Sequence, residues 1–100
     1  MRKEMIEALH PGRTIKEDLL PSLGITVNKL AAELGMHANR LNEIVLRRRG
    51  VTADTALRLA RYLGTSPEFW LNLQSIYDLR LAEYRNMKAI KKQVRPRAVA

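Results

Sequence analysis

Thr26-Val-Asn-Lys-Leu-Ala-Ala-Glu-Leu-Gly35-Met-His-Ala-Asn-Arg40-Leu-Asn-Glu-Ile-Val-Leu-Arg-Arg-Arg-Gly50 is two short amphipathic segments meeting at a glycine and ending in three consecutive arginines. Val27, Leu30, Ala31 and Leu34 fall at i, i+3, i+4 and i+7, and Leu41, Ile44 and Val45 continue the pattern beyond the corner, so both segments read as helices that bury one face. Ala31 is small where a larger side chain would hold the second helix away, and Gly35 stands where the chain needs a positive φ. Thr26 is the N-cap of the first helix, which runs to about Leu34; the second begins near His37 or Ala38 and fades around Leu46. Small residue, glycine corner and cationic exit together describe a helix-turn-helix, a unit that enters DNA.

Outward from this block the chain remains helical. Upstream, Pro11-Gly12 opens the ordered part, Thr14 and Glu17 fit a capping box, Ile15, Leu19 and Leu20 supply an inward stripe, and Pro21 and Gly24 stop the helix. Downstream, Thr52 caps a helix with Ala56, Leu57, Ala60 and Leu63 inward and Arg58 and Arg61 outward, closed by Gly64. Ser66-Pro67-Glu68 then starts a long fifth helix, with an N-cap, a proline in the first turn and an acid near the positive end of the dipole. That helix has two apolar stripes: Trp70, Leu73, Tyr77, Leu81 and Tyr84 on one, Phe69, Ile76 and Leu79 on the other. Either the helix sinks deeply into the core, or, as preferred here, the first stripe is a homodimer seam. The expected organisation is an N-terminal segment 1–10, a DNA-binding and dimerisation domain 11–87, and a flexible basic tail 88–100 with a non-specific electrostatic role.

Composition narrows the partner. One hundred residues support one core, and a formal charge of +8 favours a polyanion, because each cation placed near a phosphate releases condensed counterion. With no cysteine, neither disulfides nor thiolate metal sites hold the fold. The segment Met1 to His10 lacks an apolar run of signal-peptide length and no later segment approaches a membrane span, so a soluble cytoplasmic protein is expected. No paired His and acid, nucleophile with a base, or phosphate loop points to an enzyme. His10 and His37 lie in different segments, and no metal or other cofactor is expected.

In a helix-turn-helix the first exposed positions of the second helix meet the bases. Here these are His37, Ala38, Asn39, Arg40 and Glu43. Asn39 can pair with an adenine edge, Arg40 can place two donors on guanine, the Ala38 methyl can rest on a thymine methyl, and Glu43 can accept from cytosine N4 or instead orient Arg40. His37 reads as an N-cap or a phosphate donor. Phosphate contacts are expected from Thr26, Asn28 and Lys29 at the first helix's start, from Asn42, and from Arg47, Arg48 and Arg49 where the chain passes the backbone. One recognition helix touches few base pairs, so a two-fold dimer reading an inverted repeat is expected.

The chain contains Pro11-Gly12, Leu23-Gly24, Leu30-Ala31-Ala32-Glu33-Leu34-Gly35, Ala38-Asn39-Arg40-Leu41-Asn42-Glu43-Ile44, Gly50-Val51-Thr52, Thr55 to Ala60 and Ser66-Pro67-Glu68-Phe69-Trp70-Leu71-Asn72-Leu73-Gln74, ending at Tyr77-Asp78-Leu79. In these motifs it resembles the HigA family of antitoxins. More broadly it is similar to Xre-type, phage-repressor-like domains. The resemblance implies an all-α, five-helix lambda-repressor-like fold with a long C-terminal helix, a homodimer, autorepression of its operon, and neutralisation of an RNA-cleaving HigB-type toxin. One departure stands out: Arg47 occupies the position where many such sequences have glycine, and either prolongs the recognition helix or strains the turn. A free-standing repressor without a toxin, or a protein-interaction module using the fifth helix, are the alternative readings.

Overall fold

Each corner of the domain is set by a local signal that the surrounding packing then reinforces. In the computed structural model, which describes residues 1–98, the elements are α1 (Lys3–Glu7), α2 (Pro11–Thr14), a π-helical turn (Ile15–Leu19), α3 (Leu20–Leu23), α4 (Val27–Leu34), α5 (Ala38–Val45), α6 (Ala53–Leu63) and α7 (Pro67–Gln93). The helix-turn-helix is α4 and α5. Thr26 accepts the Lys29 N–H at 3.1 Å, and Gly35 turns the corner at φ +66°. At the start of α6 the Thr52 hydroxyl accepts the Thr55 N–H at 3.3 Å. Ser66 takes the N-cap backbone position of α7, but its hydroxyl goes to the Glu68 carboxylate at 2.6 Å, which lowers the Glu68 pKa.

All five expected helices are present, with α2, the π-helical turn and α3 forming the first. Pro21 lies inside it rather than stopping it: proline offers no N–H to the carbonyl four residues back, and just upstream Leu20 donates instead to Ile15, five residues back. Gly24, left-handed at φ +65°, is the actual stop. The expected capping box does not form either, because the helix starts earlier. His10 is the N-cap, its Nδ1 accepting the Gly12 N–H at 2.9 Å.

The core joins the π-helical turn to α4, α5, α6 and α7: Ile15, Leu30, Ala31, Leu34, Leu41, Ile44, Val45, Val51, Ala56, Leu59 and Trp70 are buried together. Leu57, expected inward, is exposed. Gly12 is where α2 meets the recognition helix, and a Cβ there would overlap the Ile44 carbonyl, so only glycine allows this approach. The segment 1–10 is not a bare leader, since α1 buries Ile6 and packs on α7. Arg58, expected to face solvent, reaches back to the corner. Its Nη1 donates to the Leu34 and Gly35 carbonyls at 3.0 and 3.1 Å while Nε pairs with Asp54 at 2.8 Å. Gln74 holds the opposite side, accepting the Val51 N–H at 2.8 Å and donating to Asp78 at 2.9 Å.

Two expectations for α7 need correction. Trp70 and Tyr77 are 3% and 9% exposed within a single chain, so these two residues of the expected seam are part of its own core. Leu73 and Leu81 of the same stripe are half-buried, and only Tyr84 is largely exposed. The stripe left uncovered is the other one: Phe69, Ile76 and Leu79 are 49%, 43% and 54% exposed. Nor does the helix end at 87, for α7 runs on to Gln93 and only residues 94–98 of the expected tail are non-helical; positions 99 and 100 of that tail lie outside the described residues. The long axis of the molecule is accordingly 55 Å against 28 and 21 Å.

Candidate nucleic-acid interface

His37 has extended backbone and no side-chain cap bond, so its imidazole stays free at the tip of α5. Leu41, Ile44 and Val45 anchor the inner face of α5, which turns its first residues outward. His37, Ala38, Asn39, Arg40 and Glu43, the five residues expected to read bases, line one open concavity, and Arg49 joins them from beyond the helix. Asn42 is exposed on α5 outside that lining.

Arg40 is held from behind. Its Nη2 donates to the Thr52 hydroxyl at 3.3 Å, while Nε is buried without a partner. No ion pair joins Arg40 to Glu43 among the described residues, so the Glu43 carboxylate remains available in the concavity. Thr52 thus serves two residues, capping α6 and steadying Arg40. The sequence marked only its capping role, because its second partner is twelve residues away.

The expected phosphate contacts divide. Thr26 is engaged as a cap acceptor but retains its hydroxyl proton, Asn28 is exposed, and Lys29 pairs with Glu33 at 2.9 Å, a bond that raises the Lys29 pKa. Arg48 and Arg49 are exposed and have no ion-pair partner among the described residues. Arg47 is different. It adopts φ +62°, the left-handed position that glycine takes without strain, so it ends the recognition helix instead of prolonging it. Its Nε pairs with Glu7 of α1 at 3.3 Å, which draws its guanidinium toward the protein and away from the free cations beside it.

Behind Arg47 is a group the sequence left without a role. His10 is buried, and its ring meets Tyr77 edge to face at 4.6 Å. Burial lowers the His10 pKa, the Arg47 charge lowers it further, and burial raises that of Tyr77. A proton on Nδ1 would remove the α2 cap, so the neutral imidazole is the structural form. Among the described residues no group of three or more His, Cys, Asp or Glu is placed to hold a metal ion, and no helix is long and apolar enough to cross a membrane.

A family model described as helix-turn-helix matches residues 15–70, which includes both α4 and α5. Virulence-associated protein I of Dichelobacter nodosus is 47% identical over 81 residues, 81% of this chain and 75% of its own length. The addiction module antidote protein of the HigA family from Coxiella burnetii superposes with a TM-score of 0.83 at 45% identity, over 88% of this chain and 96% of that one. The antitoxin HigA of Pseudomonas aeruginosa, solved with the higBA promoter, gives 0.86 at 40% identity over 89% and 97%. With close to the whole of two HigA proteins matched at such identity, the chain belongs to the HigA family of helix-turn-helix antitoxins.

Proposed function

We propose that this chain is an antitoxin that binds the operator of its own operon as a homodimer, reads an inverted repeat through α5, and neutralises an RNA-cleaving HigB-type toxin. The observation that carries the DNA-binding reading is the convergence of His37, Ala38, Asn39, Arg40 and Glu43 with Arg49 around one concavity at the exposed start of α5. Asn39 and Arg40 supply the two side-chain chemistries that discriminate adenine and guanine in the major groove. Thr26, Asn28, Arg48 and Arg49 contribute phosphate contacts that fix register, joined by Asn42 on the exposed side of α5 and by Lys29 once it leaves Glu33.

Homodimerisation uses the exposed Phe69, Ile76 and Leu79 stripe, an apolar strip left uncovered by the chain's own core. The toxin partnership rests on family membership, together with the antidote and higBA names of its relatives.

The deciding experiment is a gel-shift titration against the chain's own promoter with unrelated DNA as competitor, using the Asn39→Ala/Arg40→Ala double variant as control. Selective binding that falls by roughly tenfold or more in the variant supports the reading, since one good bidentate contact is worth about 1–3 kcal/mol. Selective binding untouched by the variant moves the reading surface off α5, and absence of selectivity refutes operator recognition. Co-purification of a HigB-type toxin with this chain, and loss of the toxin's RNA cleavage on addition of this chain, tests the second role.

A further inference from the structure

Most of the net positive charge of this chain lies beyond its helix-turn-helix domain. Residues 1–83 carry twelve basic and ten acidic side chains, whereas Arg85, Lys88, Lys91, Lys92, Arg95 and Arg97 follow with no acid among them. Six of the eight net charges therefore lie beyond Tyr84. All six cations are exposed, and none has an ion-pair partner among the described residues.

Helical geometry puts three of these cations on one face. Tyr77, Leu81, Arg85, Lys88 and Lys92 follow one another at spacings of four, four, three and four, which is one row of a helix. The row starts buried at Tyr77, is half-buried at Leu81 and is cationic and exposed from Arg85 onward. The face that α7 buries against its own domain is therefore the face that turns basic where the domain ends. Tyr77 packs on His10 and senses the Arg47 charge, so the row sets out from the corner where the recognition helix ends. From Arg85 to Gln93 the helix extends about 13 Å further at ~1.5 Å per residue.

A helix with no core to cover and unpaired charges of one sign matches a polyanion laid alongside it. We propose that the distal part of α7, Arg85 to Gln93 with Arg95 and Arg97 after it, is a second DNA-contacting element. It grips phosphates flanking the bases read by α5 and carries no base preference of its own. This rests on the operator-binding reading above.

The test is the salt dependence of binding by the full chain and by Lys88→Gln/Lys91→Gln/Lys92→Gln. The duplexes are the operator with long flanks, the operator trimmed flush to its repeat, and an unrelated sequence. Each lost phosphate contact lowers the slope of log affinity against log salt by about 0.9, up to about 5 for a dimer. The expected result is a shallower slope and a roughly tenfold or greater loss of affinity on the flanked operator and on unrelated DNA alike, with the ratio between them kept. On the flush operator the two proteins should differ far less. Lys88→Arg/Lys91→Arg/Lys92→Arg should restore the slope, separating charge from any packing effect.

An unchanged slope on flanked DNA overturns the proposal and leaves the arm to a protein partner, while a changed ratio overturns it by making the arm a base reader. Failure of the operator reading itself has a different signature, because the unmodified chain would then show no selectivity.

Discussion

Arg47 Nε lies 3.3 Å from the Glu7 carboxylate, so the residue that ends the recognition helix is held by the helix that begins the chain. Arg47 sits at φ +62°, a conformation that costs a non-glycine residue about 1–2 kcal/mol. The pair is substantially exposed and contributes under about 1 kcal/mol. Arg47→Gly is therefore expected to leave stability unchanged or raise it by up to about 1 kcal/mol, and to change operator affinity little. A tenfold weaker operator complex in a gel shift would return Arg47 to the phosphate-contacting set.

Gly12→Ala is expected to be among the most damaging single-methyl additions in the chain. Its Cβ would overlap the Ile44 backbone carbonyl, which cannot rotate aside as a side chain can. Forcing α2 and α5 apart should cost about 3 kcal/mol, read as a lowered urea midpoint. A cost below about 1 kcal/mol would mean that the two helices slide past each other freely.

His10 should make stability depend on pH. Its folded pKa lies below the ordinary 6.5 because of burial and then the Arg47 charge, opposed by Glu7 and Asp78. Between the folded value and 6.5 the unfolded chain binds more protons, so stability rises with pH in that window and is lost as pH falls below about 6.5. Neighbouring Tyr77 remains neutral throughout that range, its pKa being raised from 10.0. His10→Asn keeps a cap acceptor and cannot titrate, so thermal melts at pH 7.5 and 5.5 should differ less for it than for the unmodified protein. Equal differences for the two proteins would remove His10 as the origin.

The two stripes of α7 should respond oppositely to charge. Ile76→Asp/Leu79→Asp is expected to give a folded monomer with weakened operator affinity, as seen by sedimentation and circular dichroism. Tyr77→Asp places a charge in the chain's own core and should unfold it instead. A dimer persisting in the first variant would take the seam away from Ile76 and Leu79.

Local signals were legible in the sequence, and tertiary ones were not. Thr26, Thr52, Gly35, Gly24 and Gly64 announce their turns because a cap or a left-handed glycine acts within a few residues. The same locality put His37, Ala38, Asn39, Arg40 and Glu43 at the start of α5, where they gather around the concavity. Periodicity found both stripes of α7 but could not say which faced inward, since that depends on what α2 and α6 present to it. His10 was missed because histidine is an uncommon cap, and Glu7 because its partner is forty residues away. The continuation of α7 had a usable signal: Asn86 to Gln93 contains good helix formers without glycine or proline, and Pro96 first constrains the backbone at Arg95.

Arg58 gives the domain one further property. The corner between α4 and α5 is closed by a guanidinium from α6 that satisfies two carbonyls at once. Arg40 leans on Thr52, and Ile44 rests against Gly12. The reading head is therefore not a portable cassette. A peptide of residues 26–46 would carry every side chain proposed to face the bases yet leave behind its corner clamp, its arginine support and its backing helix, and transplanting specificity to another scaffold would require moving those distant residues with it.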